Sequence, residues 1–167
     1  MKRIFGLCMA LLLGALPALA AENPFAPYCL TAPAAATLEE NEGTYTFVHG
    51  NTRAVALVIE RVPDEAPAEA VIRLMAQFEP EAVIGADIPM AEGFVGLSAV
   101  NRDKYGEGID QINVMVLSSD GSLLILSGHS LDGDEAQVQL LLDSLLSTLT
   151  VDGVRIVKAR ETPAAAQ

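Results

Sequence analysis

The sequence predicts an α+β fold in which an antiparallel β-sheet is covered by one helix on each face, an α/β/α sandwich. Two observations support this fold. Several β-rich segments are apolar without alternation, so both faces of their sheet should be covered. Two other segments repeat apolar residues at the spacing of an amphipathic helix. One such helix on each face would supply the cover that the sheet needs.

The first twenty residues have the three parts of a secretory signal peptide. Lys2 and Arg3 provide positive charge, residues 4–16 are apolar, and residues 18–20 give the small-residue pattern that precedes a cleavage site. The apolar stretch is shorter than the roughly 20 residues of a membrane-spanning helix. A buried N-terminal helix is the alternative, which the flanking residues disfavour. We therefore expect cleavage after Ala20 and an exported protein, periplasmic or secreted, without a transmembrane segment after cleavage.

The charge of the chain excludes one class of partner. Its 22 acidic residues outnumber ten basic ones, and the formal net charge is −12. Loss of Lys2 and Arg3 with the signal peptide would make the charge more negative still. Such a chain repels nucleic-acid phosphates and anionic lipid headgroups. We therefore predict that nucleic acid is not a partner, whereas a cationic partner is permitted.

Composition divides the remaining chain into a domain and its flanks. Residues 21–43 are interpreted as a leader and connector, because residues 31–43 are rich in Ala, Pro and acid. This segment can include a short first strand at residues 28–31. Residues 44–160 are predicted to form a single α/β domain, which their length allows. Residues 161–167 are predicted to be a disordered tail.

The first half of the domain predicts a hairpin followed by a helix. Gly50 and Asn51 separate two β-rich segments, which is typical of a two-residue hairpin turn. Residues 66–80 predict the first helix, since Pro67 suits a first turn and Pro80 ends the segment. Its predicted buried stripe consists of Val71, Leu74, Met75 and Phe78.

The second half predicts more strands and a second helix. Asp120 and Gly121 form a turn between strands near residues 112–118 and 122–127. The preceding segments predict a short strand or turn at 82–89, a strand at 93–100 and a polar loop at 101–110. A helix follows at about residues 134–149, and its predicted buried stripe is Val138, Leu141, Leu142, Leu145 and Leu149. Residues 153–159 can add a last edge strand.

This order of elements resembles the PsbP/DcrB-like family of small exported α/β/α domains. The segments that carry the resemblance are GTYTFVHGNTRAVALVIE, AEAVIRLMAQF, GFVGLSAV, INVMVLSSDGSLLILSGHS and QLLLDSLLSTL. They extend over about residues 28–149. The resemblance implies a non-catalytic envelope or accessory protein that acts through contacts. It brings no site residues, because the family shares no catalytic residues.

The segment SGHSLDG, residues 127–133, raises the question of a serine nucleophile. It follows an apolar strand and precedes a helix, which is the setting of the nucleophile elbow G-x-S-x-G. With Ser130 as the serine, the second glycine of that motif would fall at Asp132. The glycine comes one residue later, at Gly133. The elbow therefore lacks the glycine that lets the strand and helix pack closely.

The partners of a catalytic serine are also missing from the pattern. No histidine follows Ser130 in the sequence, and His129 would point away from it in an extended segment. His49 could approach only from another strand. We interpret the segment instead as a bend that leads into the second helix, which Asp132 or Asp134 caps.

The polar loop has a weak resemblance to a calcium-binding loop. In NRDKYGEGIDQI, residues 101–112, Tyr105 and Ile112 occupy positions where a calcium loop has oxygen ligands. The residues left for an irregular divalent-cation site are Asp103, Glu107 and Asp110. The alternative is a solvated hairpin loop with mixed charges.

Three further residues could bind a transition metal or form a Cys-His nucleophile. Cys29, His49 and His129 have suitable side chains, but their spacing is not that of a metal motif. Cys29 would be the lone cysteine after cleavage, because Cys8 lies in the signal peptide. It could be buried, paired with another molecule or reactive, and we expect it to be buried.

The leading functional prediction is an exported, non-enzymatic accessory or interaction protein of the cell envelope. It would act through contacts with a protein partner in the envelope, since the sequence brings no acid, base and nucleophile together. The alternative is a periplasmic protein that binds a small ligand or a divalent cation. A serine hydrolase built on Ser130 ranks third. No catalytic residue and no cofactor are predicted.

Overall fold

The structure is a computed structural model that describes residues 23–59, 65–118 and 122–158. The predicted signal peptide, the predicted tail and the Asp120–Gly121 turn lie outside these residues. Within them the elements are, in order, β1 (Tyr28–Cys29), β2 (Thr37–Asn41), β3 (Thr44–His49), β4 (Thr52–Ile59), α1 (Pro67–Phe78), β5 (Val83–Ile88), β6 (Phe94–Asn101), β7 (Gln111–Ser118), β8 (Leu123–Ser130), α2 (Glu135–Thr148), β9 (Thr150–Val151) and β10 (Val154–Arg155).

Two antiparallel sheets form from these strands. The larger sheet has seven strands in the order β2-β3-β4-β8-β7-β6-β5, and the smaller sheet has the order β1-β9-β10. All paired strands run antiparallel. The predicted antiparallel sheet, the two helices and the Gly50–Asn51 hairpin are therefore confirmed.

Helix α2 packs on the larger sheet through the apolar stripe that the sequence predicted. Its buried residues are Val138, Leu141, Leu142, Leu145 and Leu146, and Leu149 is buried just after the helix. Gly128 on β8 allows the close approach, because a Cβ atom there would lie 2.8 Å from Cγ1 of Val138. The helix begins after Asp134, whose side chain accepts a hydrogen bond from the backbone N–H of Gln137 at 3.1 Å. Asp134 is thus one of the two predicted caps.

Helix α1 packs in a second, smaller apolar cluster. Ala70 and Met75 of the helix meet Ala99, Met115, Leu117 and Leu123 of the sheet. The larger cluster contains α2 and takes Ile112, Val114 and Val116 from β7. Alternating residues of β7 therefore belong to the two clusters, and the strand is buried along its whole length. Of the predicted α1 stripe, Met75 is buried, and the side chains of Val71, Leu74 and Phe78 lie outside the described part of the structure.

The segment predicted as leader and connector contains more regular structure than expected. Tyr28–Cys29 forms the predicted first strand, but Thr37–Asn41 also forms an edge strand of the larger sheet. All five residues of β2 are exposed, so no apolar alternation marks it in the sequence. The strand is fixed by its hairpin with β3, in which Glu42 and Gly43 adopt positive φ angles of 51° and 81°.

The strand β8 continues three residues past its predicted end, to Ser130. Its full length is paired with β4, from Ile59 opposite Leu123 to Thr52 opposite Ser130. The segment SGHS is therefore strand rather than turn. Among the described residues, none of the helices is long and apolar enough to cross a membrane.

Candidate functional site

A pocket lies between α1 and one face of the larger sheet. Strand pairing places Val55, Ser127 and Asn113 in one row across β4, β8 and β7, and Leu57, Ile125 and Met115 in the next row. Met75 of α1 and Glu79, the C-cap residue of that helix, complete the lining. The pocket has a volume of about 200 Å³. The pocket is apolar at the row of Leu57, Ile125 and Met115. It is polar at its other end, which Asn113, Ser127 and Glu79 line.

The carboxylate of Glu79 is held by three donors at the polar end. Its Oε2 atom accepts hydrogen bonds from Nδ2 of Asn101 and from Nζ of Lys104, each at 2.7 Å. Its Oε1 atom accepts a hydrogen bond from Nε2 of Gln111 at 2.8 Å. Asn101 is the last residue of β6 and Gln111 is the first residue of β7, and both are buried. Glu79 therefore links the end of α1 to the ends of β6 and β7 that adjoin their connecting loop.

These contacts lower the pKa of Glu79. Burial is the largest single influence and raises the pKa, because it disfavours the charged form. The hydrogen bonds from Lys104, Gln111 and Asn101, together with the charge of Lys104, outweigh it and bring the pKa below its usual value of 4.5. Glu79 is therefore ionised at neutral pH and can only accept hydrogen bonds.

The charge of Glu79 determines how the next amide is oriented. Gln111 must turn its NH2 group toward the carboxylate, which has no hydrogen to donate. Its Oε1 atom then accepts a hydrogen bond from the hydroxyl of Tyr105 at 2.8 Å. The same NH2 group also donates to Oδ1 of Asn113 at 2.8 Å. The oxygen of Asn113 must therefore face Gln111, and its amide nitrogen must face elsewhere.

Asn113 is left with an unsatisfied donor. Its Oδ1 atom accepts a second hydrogen bond from the hydroxyl of Ser127 at 2.6 Å. Its Nδ2 atom has no hydrogen-bond partner among the described residues, although Asn113 is 1% exposed and lines the pocket. A buried, unpaired donor costs about 1–3 kcal/mol, and such groups are uncommon in folded proteins. An unpaired donor thus lies buried in a residue that lines the apolar pocket, with almost no accessible surface of its own.

An aromatic contact borders the polar network. The rings of Tyr105 and His129 lie with centroids 4.6 Å apart. Burial, and then the charge of Arg53, lower the pKa of His129. The imidazole is therefore neutral at pH 7, and it packs against the tyrosine that supports Gln111.

Ser130 has a structural partner in place of a catalytic base. It is 2% exposed, and its hydroxyl donates a hydrogen bond to Oδ1 of Asp132. The carboxylate of Asp132 also accepts from Nδ2 of Asn51 at 3.0 Å. Hydrogen bonds from Asn51, Ser130 and the backbone of Asp134 lower the pKa of Asp132 to about 2. Ser130 and Asp132 thus join the β3–β4 turn to the start of α2.

The predicted cation ligands are engaged within their own loop. Oδ1 of Asp110 accepts a hydrogen bond from the backbone N–H of Asp103 at 2.8 Å, and Oδ1 of Asp103 accepts one from Gly108 at 2.8 Å. Arg102 pairs with the other oxygen of Asp110. Glu107 is exposed with a positive φ of 60°. Over the described residues, no three His, Cys, Asp or Glu side chains are grouped to hold a metal ion. A cation site at Asp103, Glu107 and Asp110 stays a prediction.

The expected burial of Cys29 is wrong, because this cysteine is exposed. Neighbouring strand residues point to opposite sides, and Tyr28 takes the inward position with 0% exposure. Cys29 lies in the smaller sheet, whereas His49 ends β3 and His129 lies on β8. The structure therefore does not bring these three residues together.

The residues that form the pocket were missed by the sequence analysis. A signal for two of them was present, because Gln111 and Asn113 are polar residues at alternate positions of β7, just before its apolar residues 114–117. Such side chains share one face of the sheet, and they need partners when that face is buried. Glu79 and Ser127 reach them only through tertiary contacts, which the local pattern does not indicate.

Comparisons with known proteins give a likeness in fold alone. No family model matches the chain, and no curated protein matches it. The resemblance to the PsbP/DcrB-like family therefore stays a prediction.

A crystal structure of a protein from Bacteroides thetaiotaomicron VPI-5482 is similar, with a TM-score of 0.50 and 14% identity. The match covers 77% of this chain and 46% of that one, so this chain spans about half the length of that protein. LpqN, described as involved in cell envelope biogenesis of Mycobacterium tuberculosis, has a TM-score of 0.47 and 16% identity over 78% of this chain and 83% of its own. The Bacteroides match shows the fold alone, and the LpqN match is too distant to support an argument.

Proposed function

We propose that the chain is an exported, non-enzymatic binding protein of the cell envelope and that it holds a small ligand in the pocket between α1 and the sheet. The observation that carries this proposal is the buried Nδ2 donor of Asn113 beside an apolar pocket. Export rests on the signal-peptide pattern of residues 1–20, with cleavage after Ala20. The domain at residues 44–160 is proposed as the binding unit, with β1 and β2 added to it from the preceding segment.

The proposed architecture is the α/β/α sandwich. Successive residues of a strand point to opposite faces of its sheet. Met115 and Leu117 of β7 belong to the cluster of α1, whereas Val114 and Val116 belong to the cluster of α2. This alternation supports one helix on each face, with the ligand pocket on the α1 face.

The chemistry of the pocket favours binding over catalysis. The one ionisable side chain among its described lining residues is that of Glu79, whose oxygens already accept three hydrogen bonds. The pKa of Glu79 is lowered, whereas a general base works best with a pKa near the operating pH. Ser127 donates its hydroxyl hydrogen to Asn113, and no histidine or cysteine is among the lining residues described. Asn113 is the polar group that remains free to contact a ligand.

A protein partner is the second candidate, and it is favoured by the edge strand β5. This strand ends the larger sheet, and its Val83 and Ile84 side chains are 67% and 51% exposed. Asp87 is the one charged residue of the strand. An exposed, weakly charged edge strand can pair with an extended segment of another chain. This candidate corresponds to the interaction module that the sequence analysis ranked first.

Native mass spectrometry of the protein isolated from the envelope of its own cells tests the small-ligand proposal. We expect the wild-type chain to carry an additional small-molecule mass. Leu57 is 48% exposed at the pocket, so Leu57→Trp should block the pocket without filling the core, and the added mass should be lost. Leu140→Trp, at an exposed site on α2, is the matched control and should retain it.

The alternative outcomes separate the two candidates. Two results together would support the edge-strand candidate. The wild-type protein would carry no bound small molecule, and a photoreactive group placed at Ile84 would crosslink to another protein. An added mass that persists in Leu57→Trp would contradict the proposed pocket.

A further inference from the structure

We propose that the ligand of this pocket is a small neutral molecule in which a compact aromatic ring carries a hydrogen-bond acceptor, such as a carbonyl oxygen. The inference rests on the proposed function, because it requires that the pocket bind a ligand. It adds the chemical class of that ligand. Three features of the site carry it: the free donor, the size and lining of the apolar part, and the charge at the polar end.

The acceptor is required by Asn113. The orientation of its amide follows from Glu79, whose charge directs the NH2 group of Gln111 toward both the carboxylate and Oδ1 of Asn113. The hydroxyl of Ser127 donates a second hydrogen bond to the same oxygen, Oδ1 of Asn113. Reversing the Asn113 amide would set its NH2 group against the NH2 group of Gln111. The Nδ2 donor is therefore the part of Asn113 without a partner among the described residues. An acceptor on a ligand that moves the lining enough to reach it would pair this donor, and a ligand without an acceptor would leave it buried and unpaired.

The size and lining of the pocket favour a single ring. An engineered apolar cavity of about 150 Å³ binds benzene, and this pocket measures about 200 Å³. The difference leaves room for a small substituent on the ring. Met75 and Met115 line the pocket, and methionine sulfur makes favourable contacts with aromatic rings. Val55, Leu57 and Ile125 provide the remaining apolar surface.

The charge at the polar end favours a neutral acceptor over a carboxylate. Glu79 lines the pocket, and no described lining residue carries a positive charge. Lys104 already pairs with Glu79 at 2.7 Å, and the whole chain has a net charge of −12. An anionic acceptor would be placed near the carboxylate in a partly buried site, where like charges repel strongly. A ketone, amide or ester oxygen satisfies Asn113 without this repulsion.

Three probes with the same ring test the inference on the wild-type protein. Dissociation constants for acetophenone, ethylbenzene and benzoate are measured from backbone amide shifts in NMR titrations of the mature chain. Acetophenone should bind about tenfold more tightly than ethylbenzene, the factor expected for satisfying one buried donor. Benzoate should bind most weakly. Equal or tighter binding of ethylbenzene, or tightest binding of benzoate, would overturn the inference.

Variants distinguish the role of each group. Asn113→Leu has a similar volume and lacks the donor, so acetophenone should lose its advantage while ethylbenzene still binds. Glu79→Gln removes the negative charge, and benzoate should gain affinity relative to acetophenone. If Asn113→Leu does not fold, the three-probe series on the wild-type chain still decides the question.

Failure of the inference differs from failure of the proposed function. If Leu57→Trp abolishes binding of all three probes but acetophenone has no advantage in the wild type, the pocket binds ligands and the acceptor requirement is wrong. If no probe shifts residues of the pocket at its solubility limit, the inference is contradicted, and the added mass on the wild-type chain and its loss in Leu57→Trp still decide the small-ligand function.

Discussion

The side-chain amide of Gln111 donates a hydrogen bond of 2.8 Å to Oδ1 of Asn113, two residues further along β7. Both side chains lie on the same face of the strand, because residues i and i+2 share a face. The bond uses the acceptor of Asn113 and leaves its donor for the pocket. Since Gln111 takes its orientation from Glu79, the ionisation of one carboxylate determines which group the pocket presents to a ligand.

The lowered pKa of Glu79 predicts a specific pH dependence of stability. A carboxyl group whose pKa is lower in the folded state stabilises the fold above its unfolded pKa, here about 4.5. That stabilisation is lost as the pH falls through the lower folded value. We expect Glu79→Gln to lose about 1–2 kcal/mol at pH 7, and the difference from wild type to shrink below pH 4.5.

Thermal melting between pH 7 and pH 3 measures this effect. Glu40→Gln on the exposed strand β2 is the matched control and should follow the wild type throughout. A constant difference between Glu79→Gln and wild type across this range would show that the charge of Glu79 does not support the network.

The close packing of α2 on β8 predicts that a larger residue at position 128 is destabilising. A Cβ atom on Gly128 would lie 2.8 Å from Cγ1 of Val138 and 3.2 Å from Cδ1 of Leu142. Overpacking of this kind costs about 1–3 kcal/mol. Urea unfolding of Gly128→Val should show a loss in this range, whereas Leu140→Ala on the exposed side of α2 should change stability little. An unchanged midpoint for Gly128→Val would contradict the helix position.

The N-cap of α2 predicts a difference between two substitutions of Asp134. Its side chain accepts a hydrogen bond from the N–H of Gln137 at 3.1 Å. Asp134→Ala removes that acceptor and should lower the free energy of unfolding by about 1 kcal/mol. Asp134→Asn keeps a side-chain oxygen and should lose less. Chemical unfolding checks both variants, and equal losses would argue against a capping role.

The exposure of Cys29 predicts that its thiol reacts in the folded protein. Cys29 is the sole cysteine of the chain after residue 20, since the other is Cys8. The mature protein should therefore react with one equivalent of Ellman's reagent under native conditions, and Cys29→Ser should not react. Reaction that begins only after denaturant is added would show that the thiol is buried.

Local patterns were sufficient to predict the parts of the fold that depend on neighbouring residues. The buried stripe of α2 follows from its 3.6-residue repeat, and the turn at Gly50 and Asn51 follows from its residue types. The position of Cys29 could not be obtained in this way. The apolar segment at residues 28–31 is compatible with either Tyr28 or Cys29 pointing into the core. In the strand paired with β9, Tyr28 is the residue that points inward.

The pocket depends on pairings between distant segments. Asn113 meets Ser127 through the register of β7 with β8, and Val55 joins that row only because β4 pairs with β8. Glu79 reaches Gln111 across 32 residues of sequence. The local pattern marks Gln111 and Asn113 as polar residues of a buried strand, but it does not indicate that Glu79, Ser127 and Val55 join them.

If a ligand accepts a hydrogen bond from Nδ2 of Asn113, the NMR signals of that side chain must respond to the acceptor of the ligand. The two Nδ2 proton signals are assigned by their loss in Asn113→Leu. We expect these signals to shift when acetophenone is added and to shift much less with ethylbenzene at equal occupancy of the pocket. Equal shifts with both compounds, or unchanged Asn113 signals while acetophenone is bound, would contradict it.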